Sequence, residues 1–125
     1  MKIIIVGMLA AVLFQQRCGQ EKTVPGCYKG RLEIKGICGN STISVVEGHM
    51  DPSKIEASWT DEQSRKTYHN AFALGSPCSF PASIEEGQTF YFTLDAPPQN
   101  CAVCRAYRAK PAKTLAIRVL DKPCR

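Results

Sequence analysis

Four short segments of this chain alternate strictly between apolar and polar side chains, and that period of two constrains the fold more than any other feature. In "GRLEIKG", Leu32 and Ile34 point one way while Arg31, Glu33 and Lys35 point the other. "TISVVEG" sets Ile43 and Val45 against Val46. "TFYFTL" sets Phe90, Phe92 and Leu94 against Tyr91 and Thr93, and "TLAIRVL" sets Leu115, Ile117 and Val119 against Arg118. Successive side chains of a strand project to opposite faces, so each segment predicts a strand with one buried face.

Between the second and third of these, "KIEASWTDEQSRKTYHNAFAL" predicts a hairpin. Ile55, Ala57 and Trp59 rise to a polar turn, and Tyr68, Asn70, Phe72 and Leu74 return. A competing signal opens the stretch: Asp51 and Pro52 are suited to the N-cap and first position of a short helix. "GSPCSFPASIEEGQ" carries two prolines and two glycines and reads as a loop that anchors Cys78. A helix is expected over "NCAVCRAYRAK": Asn100 suits an N-cap, the segment is rich in alanine, and Pro111 stops it. On that helix Val103 and Tyr107 would dock inward, and Arg105 and Arg108 would face water. Five or six strands with one short helix near the C-terminus predict a mainly β domain, either a small disulfide-stapled OB-like barrel or a sandwich.

The leader sets the compartment. Residues 3–14 form a twelve-residue apolar run after Lys2, shorter than the roughly 20 residues of a spanning helix, and residues 1–17 therefore read as a secretory signal peptide. Residues 18–26 read as a tether and residues 27–125 as one domain. Seven cysteines are present. Setting Cys18 aside leaves Cys27, Cys38, Cys78, Cys101, Cys104 and Cys124, an even set that predicts three disulfides in an oxidising compartment. Cys18, just past the apolar run and followed by the polar "GQEKT", is a candidate for lipidation.

That leader, together with "GICGNSTISV" and "CAVCRAY", resembles small secreted cysteine-rich bacterial lipoproteins of unassigned function, and the resemblance implies a secreted or cell-envelope location, periplasmic or outer, with a possible lipid anchor. The order of strands and helix is similar to an OB-like barrel, and the cysteine staples make it similar to the netrin module. Netrin-like metalloproteinase inhibitors chelate a target's zinc through an N-terminal Cys-x-Cys. Here Gly19 and Gln20 follow Cys18, so that site does not carry over.

Cys101 and Cys104 form a Cys-x-x-Cys at the start of the expected helix, where the helix dipole and Arg105 would favour a thiolate. A thiol-disulfide oxidoreductase is therefore one alternative, although its usual fold needs βαβ crossovers that this pattern lacks. A structural zinc site wants a second such half-site, His49 and His69 are isolated, and Arg105 occupies the position where covalent haem attachment requires histidine. Neither metal nor cofactor is expected. Glu85 and Glu86 adjoin in a loop without a nucleophile or base motif beside them.

Charge is unevenly distributed. Residues 101–125 carry seven basic side chains and one acidic, whereas residues 19–100 carry seven basic and ten acidic. Arg105, Arg108, Lys110 and Lys113 are candidates for contact with a polyanion. Nucleic acid is not expected, since no stacking set of aromatics accompanies them. Asn40-Ser41-Thr42 fits a glycosylation sequon. The resulting expectation is a binding domain for an unknown protein or an anionic glycan or lipid, with an oxidoreductase or an inhibitor of a secreted enzyme as alternatives.

Overall fold

A computed structural model of the chain describes residues 25–96, 99 and 102–124. Seven strands form one sheet: β1 (Cys27–Ile34), β2 (Thr42–Glu47), β3 (Glu56–Thr60), β4 (Thr67–Leu74), β5 (Thr89–Thr93), β6 (Thr114–Leu115) and β7 (Arg118–Leu120). The order is β3-β4-β2-β1-β5-β7, with β6 pairing β4. All ladders are antiparallel except β4 with β6. The mainly β expectation holds, and the four alternating segments become β1, β2, β5 and the pair β6–β7.

Inward positions of the alternation make the core. Leu32, Ile34, Ile43, Val45, Phe72, Leu74, Phe90, Phe92 and Ile117 are buried. Three ladders separate β4 from β5, a span of about 14 Å on a flat sheet at ordinary strand spacing. Yet the Phe72 and Phe92 ring centroids are 5.8 Å apart. The sheet is therefore curled round its own apolar face, which is how a single sheet buries one side without a second layer.

Gly30 permits this curl. A Cβ there would lie 3.0 Å from Phe92, 3.1 Å from Phe90 and 3.2 Å from Ile43. The bare backbone of β1 thus makes room for the two phenyl rings.

The C-terminal segment touches both flanks of the curl. β6 pairs Ala73 and Leu74 of β4, and three residues later β7 pairs Tyr91, Phe92 and Thr93 of β5. Between them the buried Ser76 hydroxyl donates to the Ile117 carbonyl at 3.0 Å and accepts from the Ile117 amide at 2.9 Å. No continuous ladder closes a barrel, and the described residues contain no second sheet for a sandwich.

The hairpin forms as β3 and β4, and the Asp51 signal is satisfied as well. The Asp51 carboxylate accepts from the Ser53 amide at 2.9 Å and caps a 3-10 turn over Pro52–Lys54. β4 departs from simple alternation at Asn70, whose φ is +53°. Residues 71–74, on the far side of that kink, are all buried.

The expected helix does not form. Residues 102–113 run without helical hydrogen bonding, and Asn100 and Cys101 lie outside the described residues. Val103 and Tyr107, expected to dock, are 55% and 80% exposed, while Arg108, expected in water, faces inward.

Candidate functional site

Residues 102–113 form a strap across one end of the sheet, fastened at five positions. Cys104 is disulfide-bonded to Cys38, 66 residues away in sequence. The Ala106 carbonyl accepts from Asn40 Nδ2 at 2.8 Å. Arg108 reaches Asp61 with both terminal nitrogens, at 3.0 and 3.3 Å. Lys110 Nζ donates to Asn40 Oδ1 at 3.4 Å. Lys113 Nζ donates to the Ser53 carbonyl at 2.6 Å, and its own carbonyl accepts from the Ala73 amide at 2.8 Å.

Two protruding loops receive the strap. The first, between β1 and β2, contains a 3-10 turn at Ile37–Gly39 in which Cys38 itself takes a φ of +56°. Gly36 allows the loop to close: a Cβ there would meet the Asn40 carbonyl oxygen at 1.9 Å and Arg108 Cδ at 3.3 Å. The second is the tip of the β3–β4 hairpin. Its turn is closed by the Asp61 amide donating to the Lys66 carbonyl at 2.9 Å. The Asp61 carboxylate also accepts from the Ser64 amide and hydroxyl.

The Arg108–Asp61 pair is the electrostatic centre of this end. The Asp61 side chain is fully buried and that of Arg108 is 14% exposed. A buried carboxylate is tolerated only with a partner, and the bidentate guanidinium supplies one. Arg108 holds the Asp61 carboxyl well below the usual carboxylate range, helped by Ser64 and opposed by burial. The Arg108 guanidinium, a candidate for contact with a polyanion, is thus engaged within the fold. Lys110 and Lys113 also bond within the fold, whereas Arg105 is exposed on the outer side.

The cysteines fall into distinct places. Cys27 is bonded to Cys124, fastening the first strand to the C-terminal end of the domain. Cys78 is disulfide-bonded as well, on the loop expected to anchor it. Cys18 and Cys101 lie outside the described residues. Cys104 is bonded to a cysteine of another loop rather than to its Cys-x-x-Cys neighbour. The two disulfides with both partners described indicate an oxidising, extracellular-type environment. Among the described residues, no helix is long and apolar enough to cross a membrane and no group of three or more His, Cys, Asp or Glu could hold a metal ion.

The strap presents what it does not use for fastening. Val103, Arg105 and Tyr107 face outward, and Ile37, next to Cys38, is 61% exposed beside them in the chain's disulfide-linked neighbour loop. Of the four large exposed apolar side chains among the described residues, Ile37 and Val103 adjoin the two cysteines of this disulfide in sequence and Tyr107 lies on the same strap. Sequence reasoning missed Asp61, Asn40 and Ser76 as partners. Asp61 belongs to "TDEQSRK" and Asn40 to "GNST", stretches that look like any solvated turn. Comparison with protein-family models, curated proteins and solved structures finds no match.

Proposed function

We propose that the protein is a secreted or cell-envelope binding module whose contact surface is the strapped end of the sheet. The observation that carries this reading is the exposure of Ile37, Val103 and Tyr107 around the Cys38–Cys104 bond, with Arg105 at the rim. A strap held extended by a covalent bond, an ion pair and backbone hydrogen bonds loses little further conformational freedom on docking, which reduces the entropic cost of binding. Apolar side chains held in water on such a segment, with a cation beside them, suit a protein partner whose own patch is apolar with an acidic edge. A secreted enzyme held by this surface would make the module an inhibitor. Delivery follows from the leader: residues 1–17 act as the signal, residues 18–26 as a tether, and Cys18 as the lipid attachment point.

A photo-cross-linker at position 107, with the same group at position 122 as control, tests the surface in the protein's native secretions. A partner captured only from position 107 is then purified. Its affinity falls at least tenfold with Tyr107→Ala or Arg105→Glu, while the melting temperature stays within about a degree or two of the parent. Equal affinity for parent and variants overturns the reading. Intact mass of the native protein tests the leader: a chain beginning at Cys18 and carrying acyl mass supports anchoring, and a chain beginning beyond it contradicts anchoring.

A further inference from the structure

The outer face of the sheet carries a hollow that is separate from the strap's exposed surface. β4 pairs with β2 at Ala71, Phe72 and Ala73 only. At Asn70 the backbone turns into the left-handed region, with φ of +53°, and residues 67–69 leave β2 to pair with β3 alone. That divergence opens a concavity of about 430 Å³ between the end of β2 and the hairpin, within the range of about 300 to 1,000 Å³ typical of small-ligand sites. A second hollow of about 250 Å³ shares Val45, Val46 and Asn70 with it and extends toward His49. The two hollows adjoin at these shared residues.

Two cations line this groove, Arg31 on β1 and Lys66 at the end of the hairpin turn, and the imidazoles of His69 and His49 border it. Glu33 is the single carboxylate, and it is already engaged: Ser44 Oγ donates to it at 2.8 Å and Arg31 lies 3.6 Å away. Thr67 and Asn70 add neutral hydrogen-bonding groups to the lining, and Tyr68, whose ring stacks on Trp59, adds an aromatic residue. No backbone ladder uses Asn70, and asparagine is among the few non-glycine residues that take up the left-handed region readily.

We propose that this groove binds an anionic saccharide chain, its sulfate or carboxylate groups meeting Arg31 and Lys66, its hydroxyls meeting Thr67 and Asn70, and one ring lying against Tyr68. Charge complementarity selects the anion. A lining that combines cations with neutral polar groups across two adjoining hollows suits a chain bearing both anionic groups and hydroxyls better than a single small anion. The Arg108–Asp61 pair holds the hairpin tip, so the strap positions one wall of the groove without touching the ligand.

Titration of isotope-labelled protein with a heparin-derived hexasaccharide, followed by NMR, tests the site. Saturable shifts at Arg31 and at residues 66–70 are expected, with no response to a neutral hexasaccharide. Lys66→Glu and His69→Ala each weaken binding by about tenfold, and Lys122→Glu, the same change of charge as Lys66→Glu but beyond β7 at the other edge of the sheet, leaves it unchanged. Equal loss in Lys122→Glu would show attraction to net charge alone and overturn the proposal, as would absence of binding at low salt. Saturable binding of single-stranded DNA at the same residues, as tight as the hexasaccharide, would overturn the assignment to a saccharide. The strap variants of the preceding section test a different surface, so either proposal can fail alone.

Discussion

The curled sheet and the strap are built on opposite principles. The sheet is held by burial: Leu32, Ile43, Phe72, Phe92 and Ile117 lose nearly all contact with water, and regular ladders satisfy the backbone. The strap buries only Ala109, Pro111 and part of Arg108 along residues 102–111. It keeps its shape through one disulfide, one buried ion pair and the side chain of Asn40. Burial is cooperative and spread over many residues, whereas the strap depends on a few ties, each individually breakable.

That contrast ranks the consequences of substitution. The largest effect is expected at Phe92, which is fully buried between β1, β4 and the C-terminal segment. Phe92→Ala costs about 3 to 5 kcal/mol through lost burial and a residual cavity. Chemical denaturation followed at several probes would show one cooperative transition moved to lower denaturant. A Gly30→Val substitution should act in the same cooperative way by crowding the two phenyl rings, at about 1 to 3 kcal/mol.

Arg108→Ala comes next, at about 3 kcal/mol, because it leaves the buried Asp61 carboxylate without its counter-charge. Asp61→Asn should cost less and partly rescue the Arg108 variant, since it removes the orphaned charge. A double-mutant cycle measures the coupling, and independent, additive losses would mean that the pair does not hold the hairpin tip.

Acid should distinguish the two regions without mutation. The Asp61 carboxyl is depressed in the folded protein, chiefly by Arg108. Its contribution is complete above the ordinary carboxylate value of about 3.9 and is lost as pH falls further, toward the depressed folded value. Below about pH 4, protection from hydrogen exchange, corrected for the intrinsic rate at each pH, should fall in the hairpin turn and strap before it does in β1, β2 and β5. Simultaneous loss of protection throughout would show that strap and sheet are one cooperative unit. Tyr107→Ala and Val103→Ala, at the small end, should change stability by no more than about 0.5 kcal/mol, because both side chains are displayed to water.

The same contrast explains what could be read from the sequence. Alternation exposed the core positions of β1, β2 and β5, because each strand's buried face is written in its own residues. It also placed the hairpin and the Asp51 cap. The last strand was legible as one alternating run, but its division into β6 and β7 was not, since it depends on the buried Ser76 hydroxyl bonding Ile117.

The strap was misread as a helix because the local signals, alanine content and a terminating proline, are real but weak. A helix of about ten residues is marginal in water without tertiary support. Here Asn40 takes the Ala106 carbonyl and Cys38 takes Cys104, so tertiary bonds replace the intrahelical ones. Those partners lie more than sixty residues away, where no local pattern marks them. The groove at Asn70 was hidden for a similar reason: a single left-handed residue inside an alternating stretch leaves no compositional trace.

Disulfide mapping of the non-reduced protein tests the central claim, that residues 102–113 are an extended strap cross-linked to a distant loop. After cleavage between Cys101 and Cys104, as by elastase at Ala102 or Val103, tandem mass spectrometry should find the Cys104 peptide joined to the peptide containing Cys38. A bond between Cys101 and Cys104 would contradict the strap and return the segment to a Cys-x-x-Cys redox centre.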